Sequence, residues 1–163
     1  MPLSEPRGVR LRPTSGVVRE ALFNILAEEI ERARVLDLYA GTGALGIEAL
    51  SRGAASLTLI EAESAAVQAI LQSLARTGLG DGAQVLRGRL PGALRALEGP
   101  FDFIFMDPPY GDPTAEETLL ETGRLLAEGG QVVYEHGSRY NPPERPDALV
   151  LRDRRVYGDS ALA

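Results

Sequence analysis

The chain contains no cysteine, no tryptophan and no lysine; its 17 basic residues are all arginine, and histidine occurs once. Without cysteine there can be no disulfide, thiolate zinc site, iron–sulfur cluster or cysteine nucleophile. One histidine, His136, cannot build a cluster with metal-ligand spacing, and the acids are too scattered for a cation cage, so no metal is expected. His136 follows a strand-like run and is expected to be structural or solvated rather than a general base. No stretch approaches the ~20 apolar residues of a membrane span. Met1-Pro2-Leu3-Ser4-Glu5-Pro6-Arg7 lacks the apolar core of a signal peptide. These absences predict a cytoplasmic protein with no membrane partner.

What is present suits one globular unit. At 163 residues, 44% hydrophobic and 25% charged, the chain can bury roughly 70% of its unfolded surface without staples. The formal net charge of -6 argues against holding nucleic acid by bulk charge alone. The sum is unevenly spread, however. Residues 1–19 set Arg7, Arg10, Arg12 and Arg19 against Glu5, a balance of +3, whereas residues 98–135 set Arg124 against nine acids, a balance of -8. Residues 136–163 return to +1, with five arginines and four acids. A short basic segment, 1–13, is therefore expected ahead of one domain spanning 14–163.

Hydrophobic periodicity alternates along the chain. Thr14 or Ser15 can cap a helix reaching about Ile30, with Val18, Leu22, Ile25 and Leu26 at helical spacing. Strands are predicted at 34–38, 56–61, 84–87, 101–106 and 131–135, with helices at 44–51, 64–76, 91–97 and 114–127 between them. Gly129-Gly130 is expected to end the last helix. A terminal hairpin is predicted from Ala148–Leu151 and Val156–Leu162, flanking Arg152-Asp153-Arg154-Arg155. Repeated strand–helix alternation implies right-handed crossovers and a parallel sheet covered on both faces. Ligands of such sheets bind at the carboxyl ends of the strands, so the loops after Leu38, Ile60, Arg87 and Met106 are where chemistry belongs.

The first of these loops reads Asp37-Leu38-Tyr39-Ala40-Gly41-Thr42-Gly43-Ala44-Leu45-Gly46, and Gly41, Gly43 and Gly46 match G-x-G-x-x-G. Glycines there allow a tight turn and close approach of a ligand to the backbone. Glu61 ends the second strand, twenty residues after Gly41, where a carboxylate can accept both hydroxyls of a ribose. Together these point to an adenosine-type cofactor. A dinucleotide would put its pyrophosphate on the helix N-terminus. S-adenosylmethionine has no phosphate, an ammonium and a cationic sulfur. Asp37, just ahead of the glycines, favours the cation and so S-adenosylmethionine; its bland reading is a strand-end carboxylate that caps the loop.

The most informative segment is Phe103-Ile104-Phe105-Met106-Asp107-Pro108-Pro109-Tyr110. Four apolar residues deliver an acid, two prolines and an aromatic to the sheet edge. The prolines have no N–H and fixed φ, and the residue before a proline is pushed to extended geometry. The loop thus offers acceptors only, the Asp107 carboxylate and the Pro108 carbonyl, beside the flat face of Tyr110. That set suits a planar NH₂ group on a base. Two acceptors can hold its hydrogens, turn the lone pair toward a methyl group and stabilise positive charge developing on nitrogen.

Asp107-Pro108-Pro109-Tyr110 resembles motif IV of amino-directed S-adenosylmethionine methyltransferases. Three further stretches are similar to a narrower group: Arg12-Pro13-Thr14 with Val18-Arg19-Glu20-Ala21-Leu22-Phe23-Asn24, Ala40 to Leu50 with Ser51-Arg52-Gly53-Ala54, and Leu59-Ile60-Glu61. They resemble the RsmD-type family of 16S ribosomal RNA guanine-N2 methyltransferases, from about Arg12 to the C-terminus. The resemblance implies a Rossmann-like α/β fold: a seven-stranded, mostly parallel sheet with the last strand antiparallel and helices on both faces. It implies S-adenosylmethionine as methyl donor. Tyr39, Gly41 and Gly43 would line its methionine and ribose end, with Asp37 and Asp107 also on the cofactor side, and Glu61 would take the ribose hydroxyls. Asp107, Pro108 and Tyr110 would hold the guanine. Thr14 and Arg19 would stand at the cofactor or RNA entrance, with Arg10 and Arg12 on the RNA side.

The implied partner is 16S rRNA within the small ribosomal subunit or its assembly intermediate, where basic ribosomal protein can add to the surface met. A monomer suffices for this. Two departures from the family pattern stand out. Only Arg7-Gly8-Val9-Arg10 remains of a longer basic N-terminal segment, and the loop after the third strand reads Arg87-Gly88-Arg89-Leu90, without an Asp or Asn for the adenine. Leu90 and backbone groups are the expected substitutes. DNA adenine-N6 or protein glutamine methylation shares the short motif. A nicotinamide-dependent oxidoreductase shares the glycine loop and Glu61 but leaves Asp-Pro-Pro-Tyr unexplained.

Overall fold

The computed structural model describes residues 16–163. The capping residues Thr14 and Ser15, the predicted contact residues Arg10 and Arg12, and the basic segment 1–13 lie outside the described residues. The elements run α1 Gly16–Leu26, β1 Arg34–Leu38, α2 Ala44–Ser51, β2 Ser56–Glu61, α3 Ser64–Thr77, β3 Ala83–Arg87, β4 Phe101–Met106, α4 Ala115–Thr122, β5 Leu126–Gly137, β6 Arg155–Tyr157 and β7 Ser160–Leu162. They form one seven-stranded sheet in the order β3-β2-β1-β4-β5-β7-β6. β1 to β5 pair with one another in parallel, and β7 runs antiparallel to both β5 and β6. This is the Rossmann-like, mostly parallel sheet with an antiparallel final strand that the sequence led us to expect.

Alternate residues of each central strand feed opposite layers. Val35, Leu57, Leu59, Phe103 and Phe105 join Val18, Leu22, Phe23 and Leu26 of α1, Leu45 and Ala49 of α2, and Ile70 and Leu74 of α3. Leu36, Leu38, Ile60 and Ile104 face Leu94, Leu97 and Leu125 on the other side. A third cluster sets Met106 and Tyr134 against Ala115 and Leu119 of α4. Burial on both faces explains why β1 and β4 read as nearly unbroken apolar runs. The Phe23 and Phe105 rings meet edge to face, with centroids 6.0 Å apart and planes at 89°, locking α1 onto the sheet.

Three boundaries differ from expectation. The first helix stops at Leu26, because Ala27 takes φ 46 and the chain tightens into a 3₁₀ turn over Ala27–Ile30. The helix predicted to reach Ala127 ends at Thr122. There the Arg124 guanidinium donates to the carbonyls of Leu94 and Leu97, and Leu126 is already paired with Phe101. Gly129-Gly130 therefore lies inside β5, in an irregular stretch between the pairs Phe101↔Leu126 and Phe103↔Gln131. A Cβ on Gly130 would stand 2.9 Å from the Ala127 carbonyl oxygen, so glycine there serves a close backbone approach rather than a helix end.

The terminal hairpin is also narrower than predicted. Its two-residue loop is Gly158-Asp159, between paired Tyr157 and Ser160, with Gly158 at φ 61. Residues 144–151 fold back on themselves instead, through Leu149 N–H to the Pro146 carbonyl and Leu151 N–H to the Glu144 carbonyl. The stretch 91–97 forms a 3₁₀ helix over Gly92–Ala96 rather than an α-helix. Among the described residues no helix is long and apolar enough to cross a membrane.

Gly46 fixes how closely α2 approaches the sheet. A Cβ there would lie 2.8 Å from Leu57 Cδ1 and 3.0 Å from Asp37 Oδ2. Gly46→Ala should cost about 1–3 kcal/mol, the usual cost of overpacking a filled core. Gly92→Ala, with nothing within 4 Å of the added methyl, should stay within about 0.5 kcal/mol of the parent. Thermal unfolding of the two variants checks this. Equal melting temperatures would show that α2 moves aside freely.

Candidate active site

The strand order reverses at β1, flanked by β2 on one side and β4 on the other, so the crevice at the carboxyl ends of β1 and β4 is the switch point of the sheet. The registers Leu38↔Met106 and Asp37↔Leu59 bring the ends of β1, β2 and β4 to one level. Asp37, Glu61 and Asp107 thereby share one edge.

Each glycine of the first loop has a separate task. Gly41 and Gly43 carry φ 58 and 78, a left-handed backbone that side chains rarely adopt. Gly43 is the N-cap of α2 and has no side chain to cap it. Asp37 does this instead: its Oδ2 accepts the Gly46 N–H, in the first turn of α2, at 3.1 Å. Asp37 is 2% exposed, so its carboxylate lies beneath the loop.

Burial pushes the Asp37 carboxyl up to about 8; the Gly46 hydrogen bond opposes this, and repulsion from Asp107 and Glu61 adds to it. Glu61 clamps the same loop from β2. Its Oε2 accepts the Gly41 N–H at 2.7 Å and its Oε1 accepts the Glu63 N–H at 3.0 Å. Both oxygens keep a further lone pair for a diol.

Tyr39 completes the loop. Its backbone is at φ 58, and its hydroxyl donates to Thr118 Oγ1 of α4 at 3.0 Å. Burial pushes this phenol up to about 12, so it stays a neutral donor. The glycine loop is thus tied to α4, the helix that follows the Asp-Pro-Pro-Tyr loop. That loop turns through Asp112 N–H to the Pro109 carbonyl at 3.2 Å. Asp112 Oδ1 then accepts both the backbone N–H and the hydroxyl of Thr114, which starts α4.

Asp107 and Pro108 are half-buried, and Tyr110 is 55% exposed. The Tyr110 ring lies over Gly137 at the end of β5, where a Cβ would stand 3.1 Å from Cε1. Its hydroxyl donates to the Asp159 carbonyl of the β6–β7 turn at 3.4 Å.

The structure therefore brings Asp37, Tyr39, Gly41, Gly43, Glu61 and the Asp107–Tyr110 loop to one edge. Leu90 is half-buried in the layer beneath that edge, packed with Leu36, Leu38 and Ile60, while Arg87 turns to the Ala62 carbonyl at 3.4 Å. Arg19 is half-buried on α1. His136 is 4% exposed and lies between Tyr134 and Tyr140 in tilted and edge-on ring contacts, with Nδ1 2.7 Å from the Gly137 carbonyl oxygen. Thr118, Gly137 and Asp159 support the site and were not expected from the sequence; of these, only Asp159 carried a signal, as half of a Gly-Asp turn. Two open hollows of about 390 Å³ lie elsewhere: one is lined by Phe23, Asn24 and Arg52, the other by Arg32, Asp102 and Gln131. Among the described residues no group of three or more His, Cys, Asp or Glu could hold a metal ion.

A Rossmann-like sheet with a carboxylate-lined glycine loop and an Asp-Pro-Pro-Tyr loop at its switch point defines a methyltransferase of the class that uses S-adenosylmethionine. Comparison with known proteins narrows the class. The chain matches the family described as Conserved hypothetical protein 95 over residues 1–163. It is 39% identical over 161 residues to Ribosomal RNA small subunit methyltransferase D of Escherichia coli (strain K12), covering 98% of this chain and 81% of that protein. Against the protein of the same name from Haemophilus influenzae it is 35% identical, covering 91% and 79%. The solved structure of yhhF from Escherichia coli superposes with a TM-score of 0.81 at 37% identity, covering 93% of this chain and 85% of that one. The chain belongs to this family, that of the RsmD-type methyltransferases.

The raised Asp37 carboxyl has a pH consequence. In the unfolded chain this acid ionises near 4; in the fold it keeps its proton to about 8. Between those values the folded state binds more protons, so stability falls as pH rises, by up to about 1.4 kcal/mol per pH unit. Asp37→Asn keeps an acceptor for Gly46 and removes the titration. Denaturant unfolding between pH 5 and 8 should give a flatter profile for the variant, and parallel profiles would show that Asp37 is ionised throughout.

Proposed function

We propose that the protein transfers the methyl group of S-adenosylmethionine to the N2 amine of a guanine in 16S rRNA, within the small subunit or an assembly intermediate in the cytoplasm. The observation that carries this reading is the acceptor-only loop, Asp107 to Tyr110, set at the switch point beside the glycine loop. The family membership and the activity named for its relatives support the rRNA substrate.

The donor set fits the cofactor. Three carboxylates, Asp37, Glu61 and Asp107, lie close enough that two of them raise the third, which suits a ligand bearing an ammonium and a sulfonium. The same charges oppose a pyrophosphate and so disfavour a dinucleotide. When bound, S-adenosylmethionine supplies an electrophilic methyl group. Glu61 is the residue to take its ribose hydroxyls, Gly41 and Gly43 open the backbone to its methionine end with Tyr39 beside them, and Asp37 holds the loop beneath the ammonium, a cation that favours loss of the Asp37 proton when it binds. Leu90 offers an apolar wall to the adenine.

On the substrate side, Asp107 and the Pro108 carbonyl accept the two hydrogens of the guanine amine and hold it in place. Asp107 stabilises the positive charge that develops on nitrogen as the bond forms. Tyr110 stacks on the base, a contact worth about 1–3 kcal/mol. A base in folded RNA must be flipped out or already unstacked to enter. Most of the acceleration then comes from holding two reactants in line. Arg10, Arg12, Thr14 and Arg19 are assigned to the entrance on the RNA side. The acidic body predicts weak affinity for naked RNA and reliance on a preformed ribosomal surface.

Incubation with radiolabelled S-adenosylmethionine and small ribosomal subunits should place label in 16S rRNA, and nucleoside mapping should recover N2-methylguanine. Asp107→Ala should lower the rate by about 10²–10³ or more, with a much smaller loss of cofactor affinity. Label in protein or DNA alone, or an active Asp107→Ala enzyme, would overturn the assignment.

A further inference from the structure

The turn after β5 is built with more care than its surface position requires. Tyr140 N–H donates to the Gly137 carbonyl at 3.0 Å, closing a four-residue turn with Ser138 and Arg139 at its corners. The Arg154 guanidinium reaches in from before β6 and donates to the carbonyls of Ser138 at 2.7 Å and Tyr140 at 3.2 Å. The Asp159 carbonyl accepts the Ser138 N–H at 2.9 Å and also the Tyr110 hydroxyl. Gly137, the first residue of the turn, lies under the Tyr110 ring. One small scaffold thus holds both Tyr110 and the corner that carries Arg139.

Arg139 itself is exposed, and none of the four ion pairs among the described residues engages it. The segment that supplies Asp107 and the first turn of α4 carries the chain's densest negative charge, a balance of -8 over residues 98–135. A nucleotide delivered to Tyr110 brings its own phosphates into that field and needs a cation fixed close by. The turn that shares its support with the Tyr110 ring supplies one in Arg139.

We infer that Arg139 is a substrate-binding residue that contacts a backbone phosphate of the RNA at or beside the nucleotide stacked on Tyr110, with Arg154 and Gly137 as its positioning residues. The inference rests on the RNA-directed reading above. Phosphate contacts give affinity without sequence information and make binding salt-dependent.

The test measures binding of the full chain to small ribosomal subunits over a salt series, beside methylation of the same subunits. Arg139→Ala should weaken binding and raise KM for subunits roughly five- to tenfold at physiological salt, with affinity for S-adenosylmethionine unchanged. Its log–log salt slope should be shallower by about 0.7–0.9, the loss of one phosphate contact. Arg139→Lys should restore most of the slope, which a merely structural arginine would not do. An Arg139→Ala slope equal to the parent's, or a parent that does not bind subunits, overturns the inference. A parent that binds with the expected slope difference but incorporates no label defeats the proposed reaction and leaves this RNA contact standing.

Discussion

Three carboxylates held at one edge of a parallel sheet are the constraint around which the rest of this molecule is arranged. Burial lifts the Asp37 carboxyl to about 8, and repulsion from its two neighbours adds to the rise. The fold answers that repulsion with backbone. Gly46 donates to Asp37, and Gly41 and Glu63 donate to Glu61. Because those donors belong to the glycine loop and its surroundings, the groups that neutralise the charge also set the loop's shape. The left-handed backbone of Gly41 and Gly43 and the close approach of Gly46 are what that shape demands.

From the same edge, connections run outward. Tyr39 ties the glycine loop to Thr118 on α4, and Asp112 starts that helix immediately after the Asp-Pro-Pro-Tyr loop. Tyr110 then leans on Gly137 and the β6–β7 turn. The glycine loop, the Asp-Pro-Pro-Tyr loop and the final hairpin are therefore one hydrogen-bonded assembly, so a change in the hairpin is felt at Tyr110.

The sequence announced the parts of this assembly that local chemistry dictates. β1, β2, β4 and α2 lie where apolar runs, turn residues and the glycine loop put them, since a strand buried on both faces and a G-x-G-x-x-G turn leave few alternatives. The candidate residues Asp37, Tyr39, Gly41, Gly43, Glu61 and Asp107–Tyr110 were legible for the same reason. What escaped was decided by partners far along the chain. α4 stops early because Arg124 and Leu126 are claimed by residues near 94–101, which no helical period encodes. Gly129-Gly130 signals a helix end and instead serves a close pass over Phe101. Gly137 and Thr118 matter only through Tyr110 and Tyr39, rings that arrive from distant loops.

The far edge of the sheet has a consequence for the protein in a crowded solution. β6 is three residues long, whereas β2 and β4 have six, and it is the terminal strand of the sheet. An incoming strand from another chain would find only two or three backbone groups to pair with. It would also meet Arg155 and, in an antiparallel approach of an identical chain, a second copy of that charge. Such an edge is a poor template for growth of the sheet beyond its own seven strands.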